Sequence, residues 1–150
     1  MAVALLFSFK KNSNLMLNQK PVVACETLTI VLGTGNTYTL PLSRTLMEKT
    51  IVGIAVMDNQ GGYVKSPDNA SLSQVRNNEL YGAYLKLQTS DNRADITNLP
   101  LKVVSEQTTQ WGAFGVCLAD IDTSKSMVMF SSGATIPANS CLVITFYYEA

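Results

Sequence analysis

Histidine is absent from this 150-residue chain, and with it go the commonest general base and the commonest metal ligand. No Ser-His-Asp or Cys-His arrangement can be assembled, so no catalytic residues and no enzyme activity are expected. The three cysteines, Cys25, Cys117 and Cys141, lie far apart with no C-x-x-C spacing, which leaves no zinc site and no expected metal or other cofactor. Each sits in an apolar, strand-like context and is expected to be a small buried hydrophobe, with one disulfide plus a free thiol as the alternative. Charge is also scarce. Only 15% of residues are charged, against a usual share of about 25%. Basic and acidic residues balance at eleven each, and no basic cluster exceeds the pair Lys10-Lys11. Phosphate binding needs clustered Lys and Arg, so nucleic acid is not an expected partner. A neutral, sparsely charged surface does little to keep copies apart, which favours self-association.

Long hydrophobic runs are missing too. The N-terminal MAVALLFSFKKN is far short of the roughly 20 apolar residues of a membrane helix. Its lysines follow the apolar stretch, the reverse of a secretory signal, and no A-x-A site comes next. Residues 1–12 are therefore expected to form an N-terminal arm or first strand that packs on a neighbour, in a chain used without export machinery.

What remains is strand pattern. The 150 residues are long enough for one domain that buries about 70% of its unfolded-chain surface. Leu28, Ile30 and Leu32 alternate with Thr27, Thr29 and Val31 before Gly33-Thr34-Gly35-Asn36 breaks the run, so 27–40 is predicted to be a β-hairpin with a Gly-rich turn. Ile51–Met57 is a nearly continuous apolar strand, ended by the turn-forming Asp58-Asn59-Gln60-Gly61-Gly62. Residues 65–78 are polar, with at most one helical turn. Tyr81, Ala83, Leu85 and Leu87 share one strand face, with Tyr84, Lys86 and Gln88 on the other. Phe114–Leu118 and Met127–Phe130 are short apolar runs. Cys141–Tyr148 is apolar on both faces, which places it centrally or under a partner. With weaker segments at 3–9 and 15–17, eight or nine short strands are predicted and no helix of three turns. The expected fold is all-β: an antiparallel β-sandwich, jelly-roll-like, spanning 1–150. Thr39-Leu40-Pro41-Leu42 and Asn98-Leu99-Pro100-Leu101 each precede an apolar strand, an echo that two Greek keys would produce, with each proline at a strand edge.

Short motifs add no chemistry. Ser8-x-x-Lys11 lacks its companion motifs. Gly33-Thr34-Gly35 lacks the third glycine and the helix of a dinucleotide site. Asp120-Ile121-Asp122 reads as a turn, because Ca²⁺ needs 6–8 oxygen ligands and no further acids are local. Asp91-Asn92-Arg93-Ala94-Asp95 places Ile96 and Lys102 where a calcium loop needs Gly and Glu; it reads as a solvated hairpin loop with an Arg93–Asp pair. The one N-x-S sequon, Asn69-Ala70-Ser71, carries no meaning without export. The aromatics are read mainly as core or subunit contacts.

Two stretches, Leu80–Leu101 ("AYLKLQ", a polar loop, "ITNLPL") and Ala119–Glu149 ("ADIDTSKSMVMF" and "LVITFYYE"), resemble small structural proteins of tailless icosahedral bacteriophages, whose chains are typically jelly-roll sandwiches. Thr123 stands where that pattern expects an aromatic, and 102–113 has no counterpart. The resemblance implies a non-enzymatic virion structural protein that assembles in the host cytoplasm. It also implies partners: other copies of itself, as a pentamer or trimer, and other capsid proteins, in the proximity of a viral membrane but with no transmembrane segment. A vertex (penton-type) or minor capsid subunit is expected, because main coats of such lipid-containing phages resemble double jelly rolls of about twice this length. The expected subunit contacts are Leu5, Phe7 and Phe9 in the arm and Leu142, Ile144, Phe146 and Tyr148 in the last strand. The alternative is a β-sandwich that binds a host receptor or glycan through Tyr63, Tyr84 and Trp111.

Overall fold

A computed structural model describes residues 22–58, 82–106, 113–136 and 138–150. Among these residues the chain forms eight strands: β1 Val23–Val31, β2 Thr37–Thr39, β3 Ile51–Asp58, β4 Tyr84–Gln88, β5 Ala94–Pro100, β6 Phe114–Leu118, β7 Met127–Met129 and β8 Cys141–Glu149. Two short helices, α1 Arg44–Glu48 and α2 Leu101–Glu106, and a 3₁₀ turn Thr123–Lys125 complete the fold. One antiparallel sheet has the order β1-β8-β3-β6 and the other β2-β7-β4-β5. Consecutive strands thus alternate between sheets except at β4–β5, an arrangement that wraps two Greek keys into a jelly roll.

Inward side chains obey the alternation read from the sequence. Leu28, Ile30 and Leu32 on and after β1, Leu85 and Leu87 on β4, and Leu142, Ile144 and Phe146 on β8 enter one core with Ile54 and Val56. β8 is central, paired with β1 on one side and β3 on the other; its inward side chains are buried, while Cys141, Val143 and Tyr147 on the outer face are half-buried. Leu142, Ile144 and Phe146 are completely buried in this chain's own core. They are therefore not subunit contacts, and Tyr148, half-buried, packs against the same core.

Residues 27–40 do not form the predicted hairpin. β1 pairs with β8 while β2 pairs with β7 in the opposite sheet, so Gly33–Asn36 carries the chain across the sandwich. The Tyr38 ring determines this turn. Its hydroxyl donates to the Gly35 carbonyl at 2.7 Å and accepts from the Gly33 N–H at 3.0 Å, while the ring meets Phe130 edge-on at 5.7 Å. A turn read from glycines alone suggests a hairpin, but the inward aromatic sends the next strand to the other layer.

The Leu-Pro-Leu echo has a structural counterpart. β2 and β5 are the two edges of their sheet, and each leads through proline and a short helix to β3 or β6, which are neighbours in the other sheet. Pro100 closes an edge strand, where its missing N–H breaks no central ladder. β5 lies where the sequence pattern suggests a loop: its burial pattern is irregular and its register with β4 shifts twice. Asp58, expected to begin a turn, is instead the buried last residue of β3, 1% exposed. The segments at 3–9, 15–17, 59–62 and 65–78 lie outside the described residues.

Candidate functional site

The polar corner between β4 and β5 is the best-built loop. Thr89 leaves β4 with its N–H donating to the Arg93 carbonyl at 2.8 Å. Its hydroxyl accepts from the Arg93 N–H at 3.1 Å and lies against the Asp91 carboxylate. Asn92 takes a left-handed conformation, φ 67°, which asparagine tolerates better than most residues. The Thr89 hydroxyl bond, followed by a backbone bond from Arg93, holds the Asp91 carboxyl below its usual value of 3.8. The hydrogen bond that Arg93 Nε donates to Asp95 Oδ1 raises the arginine's pKa above its ordinary value, and the two form an ion pair at 2.8 Å.

This corner interlocks with the turn before β7. Ser90 N–H donates to the Asp120 carbonyl and Asp122 N–H to the Gln88 carbonyl. Lys125 Nζ reaches the Ser90 carbonyl at 2.6 Å and Asn92 Oδ1 at 2.9 Å. The β4–β5 corner and the turn before β7, far apart in the sequence, are therefore stitched together in space. The acids do not converge: Asp120 is exposed, whereas Asp122 is buried and caps the 3₁₀ turn through Ser124 N–H and Oγ. Among the described residues no group of three or more His, Cys, Asp or Glu could hold a metal ion. Arg93 Nε bonds within the loop and Lys125 Nζ bonds to it from the neighbouring turn.

A second polar junction lies at the start of the sandwich. Ser43 caps α1 by accepting from Leu46 N–H at 3.2 Å, donates to Glu26 Oε2 at 2.8 Å, and sends its own N–H to Thr123 Oγ1 at 2.8 Å. One buried serine thus joins β1, α1 and the 3₁₀ turn. Glu26 points inward because this donor awaits it, and its odd-numbered neighbour Cys25 is consequently on the outer face. That overturns the expected burial of the cysteines: Cys25 and Cys117 are exposed, Cys141 is half-buried, and none is in a disulfide.

Comparison with protein-family models, with curated proteins and with solved structures finds no match. Of the sequence-predicted aromatics, Tyr84 lies on the outer face of its sheet, 40% exposed, opposite Met129 and Pro100. Tyr63 and Trp111 lie outside the described residues, as do Leu5, Phe7 and Phe9. No helix among the described residues is long and apolar enough to cross a membrane.

The feature that sequence reading missed is the outer edge of β1. Val23, Cys25, Thr27, Thr29 and Val31 project to the outer face; the last four are exposed and Val31 reaches 76%. Alternation in the sequence identified this face but could not say that the strand lies at a sheet edge.

Proposed function

We propose that this chain is a non-enzymatic structural protein of an icosahedral phage virion, a vertex or minor capsid subunit that associates with copies of itself and with other capsid proteins. The strand order β1-β8-β3-β6 and β2-β7-β4-β5 carries this reading, because it is the jelly-roll arrangement that the resemblance implies. A jelly roll hosts many functions, so the surface supplies the rest of the support. The β4–β5 corner and the turn before β7 are tied together by hydrogen bonds, which suits a building block whose role is contact. Closed symmetric assembly sums many weak contacts, so no single patch need be strong. Assembly occurs in the host cytoplasm and the mature location is the virion.

Mass photometry and imaging of the purified protein test this reading, with a closed symmetric oligomer as the expected result, either a trimeric or pentameric ring or two such rings joined across a two-fold axis. A protein that stays monomeric at high concentration and is absent from particles overturns it. The rival reading, a receptor- or glycan-binding sandwich, draws on exposed Tyr84. Glycan binding by a monomer, lost in Tyr84→Ala, favours that reading instead.

A further inference from the structure

We propose that β1 is a self-pairing edge, at which a second copy adds its own β1 antiparallel across a two-fold axis and joins the two β1-β8-β3-β6 sheets into one. This inference deepens the reading above and rests on its self-association, though not on the virion role.

The four sheet edges are not alike. Exposed edges carry unsatisfied N–H and C=O groups, and proteins guard them with short strands, bulges, lysine or proline. β2 has three residues. β5 shifts register twice against β4 and ends in Pro100. β6 has five residues and an irregular register with β3. β1 has none of these devices, and its one charged residue, the inward-facing Glu26, is already held by Ser43. It is nine residues long, VACETLTIV, with no lysine and no proline, and it pairs with β8 without a shift from Val23 to Val31.

The direction of its free backbone groups follows from the hydrogen bonds at its two ends. Leu32 N–H donates to the Ser140 carbonyl, and the Val22 carbonyl accepts from Ala150 N–H. Even-numbered residues therefore bond toward β8, and in an unbroken antiparallel ladder the odd-numbered ones turn both groups away. Val23, Cys25, Thr27, Thr29 and Val31 direct their N–H and C=O to the open edge, where no described strand meets them.

A second copy fits this edge by symmetry. With Thr27 on the two-fold axis, Thr27 pairs with its copy, Cys25 with Thr29 and Val23 with Val31. Every outward group of one strand then meets its complement in the other, which gives an isologous contact. All five outer side chains are uncharged, so no like charges oppose one another on that face. Glu26 falls opposite Leu28, with its carboxylate already held by Ser43. Main-chain pairing supplies affinity and the β-branched threonines and valines supply cross-strand packing.

The test uses the whole chain. Thr29→Pro removes one outward N–H without touching the β8 ladder, a change that edge strands tolerate. Thr27→Lys places two like charges at the axis. Sedimentation of the wild type is expected to show self-association, with the assembly mass halved in both variants while far-UV circular dichroism stays unchanged. Amide exchange on the unmodified protein gives a reading independent of any variant. The Cys25, Thr27 and Thr29 amides are expected to slow by at least about tenfold on going from dilute to concentrated protein, whereas Leu28 and Ile30 are protected throughout. A wild type that is monomeric at every concentration overturns both the contact and self-association. A wild type that associates, but with unchanged mass in the variants or no gain in odd-numbered amide protection, overturns the β1 contact alone.

Discussion

Replacing Ser43 with alanine probes the junction that ties the two sheets together at one end. The side chain is 3% exposed and makes two bonds. Loss of an N-cap serine costs about 1 kcal/mol. The bond to the Glu26 carboxylate is charge-assisted, a class worth about 1.5–3 kcal/mol net, and the lower end applies because Glu26 is only half-buried. The Ser43 N–H to Thr123 Oγ1 survives, being backbone. The sum is about 2–3 kcal/mol, or a fall in Tm of roughly 5–10 °C for a chain of this size. Urea denaturation followed by far-UV circular dichroism measures it, at a concentration low enough to keep the protein monomeric. A double-mutant cycle with Glu26→Gln separates the cap from the carboxylate bond, with a coupling of about 1 kcal/mol expected. A cost for Ser43→Ala below about 0.5 kcal/mol, the range of an ordinary surface change, would refute the reasoning. Strict additivity in the cycle would refute the Glu26 part while leaving the cap intact.

Phe146→Ala, at a fully buried core position on the central strand, is expected to cost about 3–5 kcal/mol in chemical denaturation; loss of association with unchanged monomer stability would show that the ring lies in an interface. Gly53→Val is expected to destabilise by about 1–3 kcal/mol. A Cβ there meets Ala113 Cβ at 3.3 Å and Tyr147 Cβ at 3.5 Å, so thermal melting should show a clear loss, whereas Gly115→Val, with open space around its Cβ, should not. The Asp91 carboxyl is held below its usual 3.8, so its contribution is present above that pH and is lost as the pH falls through the lower folded value. Asp91→Asn should therefore flatten the acid limb of a pH–stability curve below about pH 4, and an unchanged limb would exclude a stabilising role for the Thr89–Asp91 bond.

Much of the sandwich was legible in periodicity. Leu28, Ile30 and Leu32, then Ala83, Leu85 and Leu87, alternate because a strand turns successive side chains to opposite faces, and all six are buried as read. The apolar run of β8 pointed to a central place, which its pairing with β1 and β3 bears out, although its outer face is only half-buried. The exposure of Cys25 was not legible because Glu26, a carboxylate within an apolar run, faces inward to a serine 17 residues away, a partner invisible to local pattern. β5 was passed over because its bulges scramble the alternation that identifies a strand.

Composition and alternation by themselves determined that this chain is β-rich, lacks histidine-dependent chemistry and hides a single apolar set of side chains, since these depend on residue type and local geometry alone. Which strand pairs with which was decided only in three dimensions. Tyr38 sends β2 to the opposite layer, the Lys125 and Asp122 bonds lock the β4–β5 corner to a distant turn, and β1 is left at an edge with its odd-numbered amides pointing outward. These outcomes depend on partners far apart in the chain, and a strand's sequence does not record whether it has one neighbour or two.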